Sequence, residues 1–205
     1  MRTYILAGFA LLVIAVALVW FITQREADVT NYPSSGTDII AFGDSLVFGT
    51  GASNEGGFVS LLEEKIDRPI VNLGVSGDTT ASGLARIGVL DTYNPKIVLL
   101  LLGGNDRLRE TPPQETFSNL AKIIEDLQKR GAVVVLLGIR GGILSDSYEK
   151  QFQMLRDTYH TAYVPDVLRG LFSDSHYMSD AIHPNDAGYA KIAERVYPIL
   201  DKFLQ

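Results

Sequence analysis

Two uninterrupted apolar runs, Ile97 to Leu102 and Val133 to Leu137, restrict this chain to few folds. A strand with one wet face alternates apolar and polar residues, so a run without alternation belongs to a strand covered on both faces. Shorter runs extend the set, and strands are expected at 37–42, 69–73, 97–102, 133–139 and 161–164. Between them, amphipathic stretches at 57–67, 79–91, 114–130, 147–159 and 186–204 read as helices. Thr111-Pro112-Pro113-Gln114 starts one of them with a hydroxyl cap and proline in the first turn. Ser145-Asp146 and Asn185-Asp186 serve as caps for the next two, and Gly131 closes the long one. Strands alternating with helices predict an α/β protein, a three-layer α/β/α sandwich with a parallel sheet. Residues 38–205 suit a single domain, with no internal repeat and no low-complexity tract.

Ser45 lies in Gly43-Asp44-Ser45-Leu46, directly after Ile39-Ile40-Ala41-Phe42. A hydroxyl at the carboxyl end of a buried strand faces the crevice where open α/β sheets bind ligands. Serine is a poor nucleophile unless a base takes its proton. The histidines are His160, His176 and His183. His183 stands in Asp180-Ala181-Ile182-His183-Pro184-Asn185, where a turn can set carboxylate and imidazole side by side, one ring nitrogen on Asp180 and the other toward serine. Asp157-Thr158-Tyr159-His160 has the same spacing, but inside an amphipathic stretch where such a pair is ordinarily a solvated one. His176 has Asp174 close by in a loop-like setting. His183 is the preferred base.

Two other segments follow strand-like runs: Val71-Asn72-Leu73-Gly74, and Gly103-Gly104-Asn105-Asp106 after Leu102. The Gly74 amide and the Asn105 side chain can donate to a developing oxyanion, and the Ser45 amide would make a third donor. Singly, each has a plainer reading: a turn glycine, or a cap or turn pair.

Taken in order, Gly43-Asp44-Ser45-Leu46, Gly74, Gly103-Gly104-Asn105-Asp106 and Asp180-x-x-His183 resemble the four blocks of the GDSL/SGNH hydrolase family. Ser76-Gly77-Asp78-Thr79-Thr80, Gly83-Leu84-Ala85-Arg86 and Leu108-Arg109 before Pro112-Pro113 are similar to its bacterial arylesterase, lysophospholipase and multifunctional thioesterase branch. The resemblance covers about Asp38 to the end of the chain. It implies a five-stranded, flavodoxin-like sheet and a serine hydrolase of carboxylic esters or thioesters working through an acyl-enzyme. It also implies catalytic Ser45, Asp180 and His183, and an oxyanion hole of Ser45, Gly74 and Asn105. Asp44 and Asp106 read as structural, Asp44 tying its turn through backbone hydrogen bonds. The Gly-x-Ser-x-Gly elbow is absent, since Val47 follows Leu46. The alternatives are a carbohydrate O-acetylesterase of the cell envelope and a non-catalytic, membrane-tethered binding module.

Ahead of the domain, Tyr4 to Ile22 carries no charge. Nineteen such positions, with Tyr4 and Trp20 near the ends, approach the length of a membrane span. Residues 1–23 are therefore expected to be a transmembrane anchor, and 24–37 a flexible tether. Arg2 before the run places the catalytic domain outside the cytoplasm by the positive-inside bias. A cleaved signal peptide, giving a secreted enzyme, is the alternative, but the run is long for one and no small-x-small site follows it. Net charge is −6; Arg2, Arg25 and Glu26 sum to +1 over 1–27, leaving −7 for the remainder. Such an acidic domain gives no reason to expect nucleic acid as partner. The absence of cysteine excludes disulfides and a lipoprotein anchor. No His and carboxylate spacing suggests a metal, and no phosphate loop suggests a nucleotide, so no cofactor is expected. The expected partner is a small acyl ester or thioester, lipid included. Leu108, Pro112, Pro113, Ile143 and Leu144 are candidates for the acyl pocket.

Overall fold

A five-stranded sheet of order β2-β1-β3-β4-β5 runs through the computed structural model, which describes residues 29–53, 56–140 and 146–205. Its strands are β1 (Asp38–Gly43), β2 (Ile70–Gly74), β3 (Pro95–Leu101), β4 (Val133–Leu137) and β5 (Ala162–Val164). All pairings are parallel. Every residue of β4, and all of β3 except Lys96, is buried, as the continuous apolar runs require. The helices are α1 (Ser45–Phe48), α2 (Gly57–Ile66), α3 (Thr80–Ala85), α4 (Gly104–Leu108), α5 (Pro113–Lys129), α6 (Asp146–Tyr159) and α7 (Asp186–Leu200). Leu120, Ile123, Ile124 and Leu127 recur at helical spacing on α5 and are buried in the core. The expected α/β class and five-stranded parallel order are thus observed.

The strand order places β1 between β2 and β3, and the chain leaves this centre in opposite directions. That reversal opens a crevice at the carboxyl ends. Two short helices unexpected from sequence, α1 and α4, begin there, and they carry Ser45 and Asn105. The stretch read as one helix at 79–91 is two pieces: α3, then a 3-10 segment Ile87–Thr92. Gly88 and the β-branched Ile87 and Val89 are poor helix formers, which accounts for the break. The last helix ends at Leu200 and finishes in a 3-10 turn, Asp201–Phe203.

The proposed anchor 1–23, residues 24–28, the cap at Ser145, and Ile143 and Leu144 lie outside the described residues. Among the described residues no helix is long and apolar enough to cross a membrane. Residues 29–37, read from sequence as tether, are instead fastened to the domain at the end of the sheet opposite Ser45. Asn31 Nδ2 donates to the carbonyls of Gln128 (2.8 Å) and Ala132 (3.0 Å). Ser34 Oγ donates to Gly131 O at 2.7 Å, and Thr30 N to His160 O at 2.9 Å. Polar residues that suggest a loop here supply the donors that pin it, and Tyr32 packs edge-on against Phe203 with ring centroids 5.1 Å apart.

Replacing Asn31 by Ala removes its bonds to two partly buried carbonyls, of which Gln128 O keeps the Gly131 amide. The expected loss is about 1–3 kcal/mol of unfolding free energy with activity retained, read from urea denaturation.

Candidate active site

Glycine ends β1 because nothing larger fits: a Cβ on Gly43 would lie 2.2 Å from Leu101 O of the adjacent strand. Asp44 then caps α1, its Oδ1 accepting from Leu46 N at 3.0 Å, and the chain turns so that Ser45 is the first residue of the helix. Its amide, at a helix start, has no partner within the helix.

From the other side of the crevice, His183 Nε2 lies 3.2 Å from Ser45 Oγ. His183 Nδ1 lies 2.7 Å from Asp180 Oδ2, and Asp180 Oδ1 accepts from the amides of Ile182 and His183, both at 2.8 Å. The carboxylate is thus fixed by its own turn before it meets the ring. These three bonds, that to the imidazole foremost, hold the Asp180 carboxyl down at about 2. An ionised carboxylate only accepts, so Nδ1 carries a proton, and in the neutral imidazole Nε2 is then the nitrogen that accepts from Ser45. That arrangement can pass a proton from serine to imidazole.

The rival pair is not assembled. Asp157 is held by Arg156, and His160 sits exposed in a left-handed conformation (φ 49°) beyond α6, its carbonyl taken by Thr30. His176 is exposed, edge-on to Tyr177, and does not line the cavity that contains Ser45.

Asn105 shares that cavity with Ser45 and His183. Its Nδ2 donates to Asp78 O at 2.8 Å, which leaves its second hydrogen for another acceptor. Gly74 stands differently. Its amide donates to Asn72 Oδ1 at 2.9 Å, and Gly74 lines a separate groove behind α1 with Phe48, Thr50 and Asn72. A Cβ there would strike Phe48 N at 2.2 Å, so the glycine is needed for close packing of β2 on α1. In this structure the Gly74 amide is thus engaged by Asn72, apart from the cavity that holds Ser45, Asn105 and His183. Gly77, three residues on, adopts φ 85° and adjoins Asp78, the residue held by Asn105. Its carbonyl accepts from Arg109 Nη2 at 3.0 Å.

Asp44, Asp78 and Asp106 are buried beneath the site, at 2%, 7% and 1% exposure. Asp78 accepts from Arg86 Nε at 2.5 Å and Ser82 Oγ at 2.8 Å; Asp106 accepts from Thr80 N at 2.9 Å and Thr80 Oγ1 at 2.5 Å. Asp44 has only the Leu46 amide of these, and burial pushes its carboxyl up to about 7. The cavity, about 560 Å³, is walled by Leu108, Ile139, Tyr148, Leu168, Phe172 and Ile182. Leu108 was expected there; Pro112 and Pro113 do not line it. Among the described residues no group of His, Cys, Asp and Glu could hold a metal.

A parallel α/β sheet with serine, histidine and aspartate in hydrogen-bonded series at its carboxyl edge defines the class of serine hydrolases. Residues 41–191 match the model of the GDSL-like lipase/acylhydrolase family, and the chain belongs to that family and is a carboxylic ester hydrolase. Esterase TesA of Pseudomonas aeruginosa is 32% identical over the whole of both chains. Thioesterase 1/protease 1/lysophospholipase L1 of Escherichia coli K12 is 31% identical, covering 81% of this chain and 84% of that one. The crystal structure of TesA superposes with a TM-score of 0.75 at 32% identity, covering 82% of this chain and all of that one.

Asp44 makes stability fall as pH rises. Its folded pKa, about 7, exceeds the ordinary value of 3.8, so between the two the folded state holds the extra proton. Its contribution is therefore most favourable below about 4 and declines up to about 7. Asp44→Asn keeps an acceptor for Leu46 N and should remove that part of the decline, measured by urea unfolding at pH 5 and pH 8.

Proposed function

We propose that Ser45 is the nucleophile, His183 the base and then the acid, and Asp180 the group that orients the ring. The observation that carries this is the continuous series Asp180–His183–Ser45 opening onto an apolar cavity. Ser45 Oγ attacks the acyl carbonyl as Nε2 takes its proton. The carbonyl oxygen, now anionic, accepts from the Ser45 amide and the free hydrogen of Asn105 Nδ2, with the Gly77 amide as third donor. Collapse expels the alcohol or thiol, which receives the proton from Nε2. Water then repeats the sequence on the acyl-serine and releases the acid.

The substrate is an ester or thioester of a medium or long acyl chain. A cavity with six apolar or aromatic walls favours such a chain over acetate, since each buried methylene contributes roughly 0.8 kcal/mol. The names of the Escherichia coli relative, thioesterase and lysophospholipase, support the same class. The uncharged run from Tyr4 to Ile22 supports a membrane anchor, with Arg2 on the cytoplasmic side and the catalytic domain outside the cytoplasm. An enzyme held there would meet lipid-derived acyl esters.

The test is hydrolysis of p-nitrophenyl esters from acetate to decanoate by the full-length chain. Activity should rise beyond acetate and fall to background in Ser45→Ala. Asn105→Ala should lower kcat by about 10²–10³ with a smaller change in KM. Hydrolysis of acetate alone would point to a deacetylase, and full activity in Asn105→Ala would remove that side chain from the hole.

A further inference from the structure

Ser45 and His183 come from opposite ends of the chain, and their 3.2 Å contact needs something to hold the two segments in register. The residues that follow Ser45 supply it. Gly49 N and Thr50 N both donate to Ser45 O at 3.0 Å, so the loop 49–53 moves with the serine. The same loop is fastened to the start of α7, at Asp186 and Tyr189, three and six residues beyond His183. Tyr189 Oη donates to Thr50 O at 2.7 Å. Asp186 takes Ser53 N at 2.8 Å and Ser53 Oγ at 2.5 Å, one on each carboxylate oxygen. Between these two fasteners Gly51, with φ 95°, lies so close to the histidine turn that a Cβ would stand 2.6 Å from Pro184 O and 3.2 Å from His183 Cβ.

We infer that Tyr189 and Asp186 are positioning residues: together they latch the loop after Ser45 to the helix after His183 and so set the Ser45–His183 contact. Tyr189 is fully buried, its ring packed against Gly57, so its hydroxyl has little freedom to leave Thr50. Asp186 is exposed, and its bond contributes little to global stability. Its bidentate form nevertheless fixes direction as well as distance. An error of about 1 Å in the placement of reacting groups can cost 10²-fold in rate, so a latch can matter to turnover while mattering little to folding. Two fasteners on one short loop are partly redundant: either alone retains most of the register.

This inference rests on Ser45 and His183 acting as proposed, and the experiment separates the two. Kinetic constants for p-nitrophenyl ester hydrolysis are compared for the full-length chain, Tyr189→Phe, Asp186→Ala, their double variant, Asp186→Asn and His183→Ala, well below the midpoints of unfolding. Tyr189→Phe deletes one atom and keeps the packing. Each single variant should lose about fivefold in kcat, and the double variant about 10²-fold, more than the roughly 25-fold product of the singles, with KM within about threefold. Asp186→Asn, which can still accept from Ser53 N, should return to within about twofold of the parent. A single Tyr189→Phe variant with unchanged kcat, a double variant no worse than the product of the singles, or a loss carried by KM overturns the latch. Should His183→Ala remain active, the catalytic assignment itself fails, whatever the other variants do.

Discussion

One guanidinium closes the catalytic edge of the sheet. Arg86 Nε holds Asp78 at 2.5 Å, while its Nη2 donates to Gly43 O at 2.9 Å and Leu73 O at 3.0 Å. It therefore ties the last residues of β1 and β2 to each other and to the loop that follows β2. Parallel strands end with carbonyls that have no further ladder partner, and leaving such groups buried and unpaired is costly. Arg86 donates to Leu73 O and adds a second donor to Gly43 O, which already accepts Val75 N at 3.0 Å, and it lies over the Phe42 ring, 4.1 Å from its centroid, a stacked position lysine would not reproduce. Through Asp78 the tie extends further, because the carbonyl of the same residue receives Asn105 Nδ2. The Ser45 turn, the β2 loop and the Asn105 side chain are thus linked in one network around a single side chain.

That network accounts for why the polar groups at the crevice can be rigid before substrate arrives. Asp106 is locked by the amide and hydroxyl of Thr80, and Asp44 by the Leu46 amide. Donors fixed by such bonds need no reorganisation as charge develops, which is the basis of oxyanion stabilisation. The acyl side of the site follows another rule. Its walls come from segments after β3, β4 and β5, loops that a rigid sheet presents without depending on them.

Much of this was legible in the sequence for definite reasons. The unbroken apolar runs could only be strands covered on both faces, and β3 and β4 are that. Asp180 and His183 are three apart, so their contact is a property of one turn and needs no tertiary information. Asp157 and His160 show the limit of spacing: the same interval lost to a neighbouring arginine and to a helix end. Gly74 shows that a glycine can be required for close packing as well as for an amide, and only three dimensions tell these uses apart. The short helices α1 and α4 hold too few residues to show a period. The fastening of residues 29–37 depends on carbonyls that lie about a hundred residues away. Tyr189 and Asp186 looked like ordinary members of an amphipathic helix, since their partners lie 139 and 133 positions earlier in the chain.

The two aspartates closest to the proposed catalytic pair are held in opposite states by their surroundings. Asp180, 53% exposed, accepts three hydrogen bonds and stays ionised down to about pH 2. Asp44, buried with one backbone donor, stays largely protonated up to about pH 7. Below that pH the imidazole has the Asp180 carboxylate on its Nδ1 side, while the acid that precedes Ser45 is largely neutral. A second fixed charge beneath Ser45 would oppose the oxyanion forming above it, because like charges in a low-dielectric site repel strongly. Burying Asp44 without a cation thus gives its turn the hydrogen bond to Leu46 that shapes the nucleophile loop, while keeping the charge that would work against the chemistry mostly off below neutral pH.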